Sequence, residues 1–141
     1  MNMQNSVFLD TGGLVTLFNV DQENHEIAKS IFGKFIDTGV ELFTTSFVLE
    51  ELVTLSRCRE KVEVTEIFGF LHKLYTSGLN VIEVGRDRFS NGLVLMHKFK
   101  DQFFSMTDCI SFVVMKELKI SDAFTTDKHF TIAGFNNLLN N

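Results

Sequence analysis

Four acidic residues, Asp10, Glu51, Asp108 and Asp127, stand far apart in the chain, each where folding alone gives a carboxylate little purpose. Asp10 ends the apolar run Val7-Phe8-Leu9, and Asp127 follows a second strand-like run, Ala123-Phe124-Thr125-Thr126. Glu51 and Asp108 share helical faces with large apolar residues. If an alternating α/β fold gathers the four at one end of a sheet, they form an acidic pocket. Two carboxylates about 5 Å apart repel by roughly 3 kcal/mol at an effective dielectric near 20. Such a pocket must hold protons or bind a cation, and the four are read as a divalent metal site.

Each carboxylate also has a plainer reading. Asp10 can N-cap the helix that follows it. Asp10-Thr11-Gly12 is also the signature of aspartic proteases, but those are all-β and pair two such loops, whereas this chain has one copy and a strongly helical pattern. Gly12 and Gly13 each weaken a helix by about 1 kcal/mol and allow backbone or substrate to come close at the strand end. At 100° per residue Glu51 shares a face with Phe47, Leu55 and Cys58, where a carboxylate needs a partner. Its neighbour Glu50 falls among Ser46, Thr54, Arg57 and Lys61, an ordinary solvated face. Asp108 can serve a helix start through the macrodipole, yet Phe112 and Met115 at i+4 and i+7 put it on an inward face. Asp127 in Thr-Thr-Asp-Lys-His-Phe can be a turn or cap, and its functional weight comes from the other three. Asp37, Asp87, Asp101 and Asp122 read as boundary or surface residues.

Other chemistries find no support. His25, His72, His97 and His129 are scattered without paired cysteines, so no zinc pattern exists; His129, two residues after Asp127, could reach a phosphate or simply pack or cap. Gly12-Gly13 is not followed by Gly-Lys-Ser/Thr, and no Gly-x-Ser-x-Gly elbow occurs. Arg57, Arg59, Lys61, Lys98, Lys100 and Lys128 are the basic candidates for nucleic acid, though each such residue is more often a solvated surface charge.

The elements that must position these residues follow from periodicity. A length of 141 residues predicts one domain with a real core, and 45% hydrophobic with 22% charged residues is globular composition. A net charge of −5 argues against nonspecific coating of nucleic acid, though not against a nuclease whose phosphate contacts are few and local. Cys58 and Cys109 suggest reduced, cytosolic thiols, and neither a signal peptide nor a membrane span is expected. Strands are predicted over 6–10, 40–44, 80–84 and 122–125, with a final edge segment after Gly134. Helices are predicted over 11–19, 24–37, 62–76, 86–100, 107–119 and 128–133, and one capped by Ser46 running to about Arg59. Thr38-Gly39 and Gly78 are the stops. Strands alternating with helices imply a mostly parallel sheet covered on both faces, with ligands beyond the carboxyl ends of its strands.

Taken in order, four segments resemble those of the PIN-domain ribonucleases, and within them the VapC-type toxins of bacterial toxin–antitoxin pairs. Val7-Phe8-Leu9-Asp10-Thr11 is similar to the opening strand and first metal-binding Asp, and Thr44-Thr45-Ser46-Phe47-Val48-Leu49-Glu50-Glu51-Leu52 to the second segment, in a register that again selects Glu51. Ser105-Met106-Thr107-Asp108-Cys109 corresponds to the third, and Ala123 to Phe130 with Ala133-Gly134-Phe135 to the fourth and its tail. The resemblance implies a single PIN-like nuclease domain over 1–141, α/β in class, with a three-layer α/β/α arrangement around a central, mostly parallel sheet of four or five strands. It implies a Mg²⁺- or Mn²⁺-dependent endoribonuclease in the cytoplasm, with Asp10 and Asp108 holding the principal metal and Glu51 and Asp127 completing the catalytic pocket. Thr11, Ser105 and Thr107 would orient waters or phosphate, and His129 could contact a phosphate. RNA, a small antitoxin protein filling an apolar groove, and a second copy in a homodimer are the implied partners. Gly12-Gly13 departs from the family, which has a small polar residue or alanine there, and this bears on any hydroxyl contact just after Thr11. The alternative is a PIN-like protein serving as an RNA-binding or regulatory subunit; a flap-type nuclease would need a helical arch for which the chain leaves little room.

Overall fold

Val7-Phe8-Leu9 is apolar without alternation because its strand is covered on both faces, as parallel strands are. In the computed structural model, which describes residues 5–140, this run lies in β1 (Ser6–Leu9). The remaining strands are β2 (Glu41–Thr45), β3 (Asn80–Ile82), β4 (Asp122–Phe124) and β5 (Asn136–Asn137). They lie in the order β3-β2-β1-β4-β5, and every pairing is parallel. Helices α1 (Thr11–Phe18), α2 (His25–Thr38), α3 (Ser46–Thr54), α4 (Val64–Thr76), α5 (Arg86–Lys98), α6 (Met106–Leu118) and α7 (Lys128–Ile132) fill the connections.

The phenylalanines show how the layers are held. Phe8 pairs in register with Ala123, and Leu9 with Phe124, so Phe8 and Phe124 point to opposite faces of the sheet. On one face Phe8 meets Phe130 of α7 at 6.5 Å between ring centroids, and Phe130 meets Phe112 of α6 at 4.9 Å. On the other, Phe124 meets Phe32 and Phe35 of α2 at 6.0 and 5.8 Å. Helices thus cover both faces, and the architecture is three-layer α/β/α.

From β1 the chain moves outward one way to β2 and β3, then returns to the other side of β1 for β4 and β5. The strand order therefore reverses between β1 and β4, where open α/β sheets place their ligands. Asp10 follows β1 and Asp127 follows β4 at that crevice.

Among the boundaries that differ from expectation, those of α3 and α5 have a visible local cause. Thr45, not Ser46, caps α3, its hydroxyl accepting the Val48 N–H at 3.1 Å. Ser46 is the first helical residue and its Oγ accepts the Val84 N–H. α3 stops at Thr54 and continues as a π-helical turn over Leu55–Arg59, which one helical pattern did not distinguish. α5 ends at Lys98, followed by a 3₁₀ turn at Lys100–Gln102. Gly39 and Gly78 end their helices at φ of 71° and 83°, as expected of stops. No helix among the described residues is long and apolar enough to cross a membrane.

Candidate metal centre

Asp10 occupies the N-cap position of α1, yet its side chain makes no capping hydrogen bond. The plain capping reading therefore does not account for it. Instead its Oδ2 accepts a hydrogen bond from the Thr125 hydroxyl at 2.7 Å. The carboxyl is 4% exposed, and burial pushes its pKa up to about 7. The Thr125 hydroxyl and the Thr11 backbone oppose that rise, while the charges of Asp108 and Asp127 add to it.

The glycine pair explains how α1 reaches this place. A Cβ on Gly13 would lie 2.1 Å from the Phe124 carbonyl oxygen, so α1 packs directly on the end of β4. A Cβ on Gly12 would lie 2.6 Å from Thr126 Oγ1. Close backbone approach is what Gly13 permits, and any larger residue there would push the helix off the strand end, whereas Gly12 faces a side-chain hydroxyl.

Asp108 sits in the first turn of α6 and is 7% exposed. It forms a capping box with Ser105: the Asp108 N–H donates to Ser105 Oγ at 3.0 Å, and the Ser105 N–H donates to Asp108 Oδ2 at 3.2 Å. Its helix-start role and its inward position hold together. Burial, then the charge of Asp127, raises its pKa, opposed by hydrogen bonds from His129 and Ser105.

Asp127 caps the short α7, its Oδ1 accepting the His129 N–H at 2.9 Å. Its own N–H donates to Thr125 Oγ1 at 3.0 Å, so one hydroxyl ties Asp10 to Asp127. His129 Nδ1 lies 3.1 Å from Asp108 Oδ2 and 3.5 Å from Asp127 Oδ1, and its ring meets Phe104 edge-on at 5.1 Å between centroids. That nitrogen faces the acids, and ligand atoms of Asp108, Asp127 and His129 lie within 4.8 Å of one another.

All four carboxylates line one cavity of about 580 Å³, together with Thr11, Ser105, His129 and Arg59. Glu51 is half-buried there, whereas Glu50 is exposed and accepts the Thr54 hydroxyl at 2.8 Å, the division that helical geometry implied. Thr107 is not among the lining residues; its carbonyl accepts the Ser111 hydroxyl within α6.

The donors suit a hard divalent cation: carboxylate oxygens from four separate segments, two of them with pKa raised first by burial and then by the neighbouring acids. The hydroxyl of Thr11, buried at the cavity wall, has no hydrogen-bond partner among the described residues. A buried hydroxyl is rarely left so, and a water of a hydrated ion would satisfy it. Sequence reasoning missed Thr125, although a hydroxyl residue two positions before Asp127 at a strand end was the available signal. For His129 it named packing, capping or a phosphate contact, and the contact with Asp108 adds to these.

No protein-family model matches the chain, and no curated protein matches its sequence. Among solved structures, the crystal structure of Mycobacterium tuberculosis VapC20, a sarcin-ricin loop cleaving toxin, superposes with a TM-score of 0.81 at 23% sequence identity, over 92% of this chain and 95% of that one. The chain shares the fold of that VapC protein, and its three-layer α/β/α arrangement around a parallel five-stranded sheet is the one the sequence resemblance implied.

Proposed function

We propose that this chain is a Mg²⁺- or Mn²⁺-dependent endoribonuclease that hydrolyses RNA phosphodiester bonds, and that it acts as the toxin of a toxin–antitoxin pair. The observation that carries this reading is the meeting of Asp10, Glu51, Asp108 and Asp127 in one cavity at the switch point of the sheet. The likeness of the fold to a toxin that cleaves RNA supports the same choice.

Asp10 and Asp108, the two most buried acids, would hold the principal metal, with Glu51 and Asp127 completing the set directly or through water. A bound Mg²⁺ or Mn²⁺ supplies an activated water and positive charge against the phosphate. Thr125 keeps Asp10 aimed, and the Ser105 capping box does the same for Asp108. Thr11 and Ser105 present hydroxyls at the cavity wall for orienting water or phosphate. Arg59, set there by the π-helical turn, brings a cation to an otherwise acidic wall and can meet the incoming phosphate.

An apolar groove of about 620 Å³ between α1, α2 and α4, lined by Leu17, Phe18, Phe32, Phe70 and Leu74, supports the expected antitoxin partner. The homodimer rests on the family resemblance. Purified protein incubated with total RNA, with and without Mn²⁺, tests the activity once new RNA ends are mapped. A few discrete ends that require Mn²⁺ are expected. RNA bound but uncut would return the chain to the alternative of an RNA-binding subunit.

A further inference from the structure

Phe103 is the most exposed large apolar side chain among the described residues, at 87%. It also holds a left-handed backbone, φ 55° and ψ 37°, a conformation uncommon outside glycine and asparagine and unusual for a bulky residue. Folding explains neither property. The turn after Lys100–Gln102 needs a left-handed residue so that Phe104 can enter the core against Phe112 and His129, and glycine would serve it better. What glycine lacks is the ring.

That ring stands at the rim of the acidic cavity and also walls a neighbouring groove of about 430 Å³ with Leu93, Met96, His97, Phe99 and Lys100. Lys98 reaches over the Phe99 ring at 5.4 Å beside it. The acids suit a metal ion; the adjoining groove offers the exposed Phe103 ring with Lys100 in the same wall and Lys98 over the neighbouring Phe99. This combination of stacking surface and positive charge is how proteins hold single-stranded nucleic acid.

We propose that Phe103 is a positioning residue whose ring stacks on the base next to the scissile phosphate. This rests on the nuclease reading above. Lys98 and Lys100 would follow the backbone leading away from the acids, giving a place to two residues that sequence alone read more readily as solvated charges.

The test uses a short single-stranded RNA spanning the mapped cut, cleaved in Mn²⁺ by wild type, Phe103→Ala, Phe103→Gly and Phe103→Trp. Loss of one stacked base is expected to raise KM about 5- to 100-fold in the Ala and Gly variants, with kcat little changed, and Trp should restore KM. Phe103→Gly should melt no lower than wild type, since glycine accepts the left-handed turn freely, which separates loss of binding from loss of fold. Removing the base beside the cut should cost wild type the same factor and cost Phe103→Gly nothing further. A wild-type KM in Phe103→Gly overturns the proposal. So does a change in sedimentation of that variant without a change in KM, which would assign the ring to a protein contact. If wild type itself leaves the RNA intact in Mn²⁺, the nuclease reading fails first, and with it this one.

Discussion

Thr125 donates its hydroxyl hydrogen to Asp10 at 2.7 Å and accepts the backbone N–H of Asp127 at 3.0 Å, joining two acids that 116 intervening residues separate in sequence. The joint exists because β1 and β4 are neighbours in a parallel sheet, with Leu9 in register with Phe124. Thr125→Val keeps the shape and removes both bonds. The Asp10 carboxyl then loses the contact that most opposes its raised pKa, and the Asp127 N–H loses its acceptor. We expect a stability loss of about 1–3 kcal/mol and Mn²⁺ binding that sets in at higher pH than in wild type. Thr125→Ser should retain most of both, as read by chemical denaturation and by Mn²⁺ titration across pH.

Asp10 burdens the metal-free fold. Its pKa lies at about 7 when folded against 3.8 for the free side chain. Between those values the native state keeps a proton the unfolded chain has lost. Stability from this group therefore falls as pH rises through the window, and the full cost is present above about 7. A shift of about three units corresponds to roughly 4 kcal/mol, of which Asp10→Asn should recover about 1–3 kcal/mol at pH 8 and almost none near pH 4. Denaturation of the metal-free proteins at both pH values checks this. Equal stabilities at pH 8 would show that the carboxylate is solvated.

The glycines of α1 give a steric test. Gly13→Ala drives a methyl into the Phe124 backbone, which cannot swing aside, and should cost about 2–4 kcal/mol as an overpacking change. Gly12→Ala meets a side-chain hydroxyl of Thr126, which can rotate, and should cost less. Gly33→Ala, in the interior of α2 with open space about its Cβ, should stabilise by about 0.5–1 kcal/mol. Thermal melts of the three variants should fall in that order.

Much of this was legible in the residues themselves. Leu9 and Asp10 show a buried strand with an acid at its end, and the face shared by Phe47, Glu51 and Leu55 separates Glu51 from Glu50 without any coordinates. The tie between Asp10 and Thr125 was not legible, because it depends on which strand lies beside β1, and periodicity says nothing of strand order. The π-helical turn that sets Arg59 at the cavity was hidden for another reason: it spans only Leu55–Arg59, too few residues to show a period of its own. The left-handed turns at Phe103 and Lys119 fall on residues that ordinarily avoid that conformation, so local preference pointed away from them.

The two cysteines should differ in reactivity. Burial first, then the charge of Asp108, pushes the Cys109 thiol up to about 11, whereas Cys58 is exposed. Thiolate is the reactive form, so at pH 8 a thiol-specific reagent should label Cys58 promptly and Cys109 only after unfolding. Two fast thiols in the folded protein would show that the start of α6 opens readily.

Direct calorimetric titration of Mn²⁺ into the protein reaches the central claim, that Asp10, Glu51, Asp108 and Asp127 share a cation. Wild type should bind in this pocket more tightly at pH 8 than at pH 6, releasing about one proton per protein at the lower pH as Asp10 ionises. Asp10→Asn and Asp108→Asn should lose that binding while remaining folded. Binding of equal strength by wild type and both variants, with no proton released at either pH, would place the ion elsewhere and contradict the account.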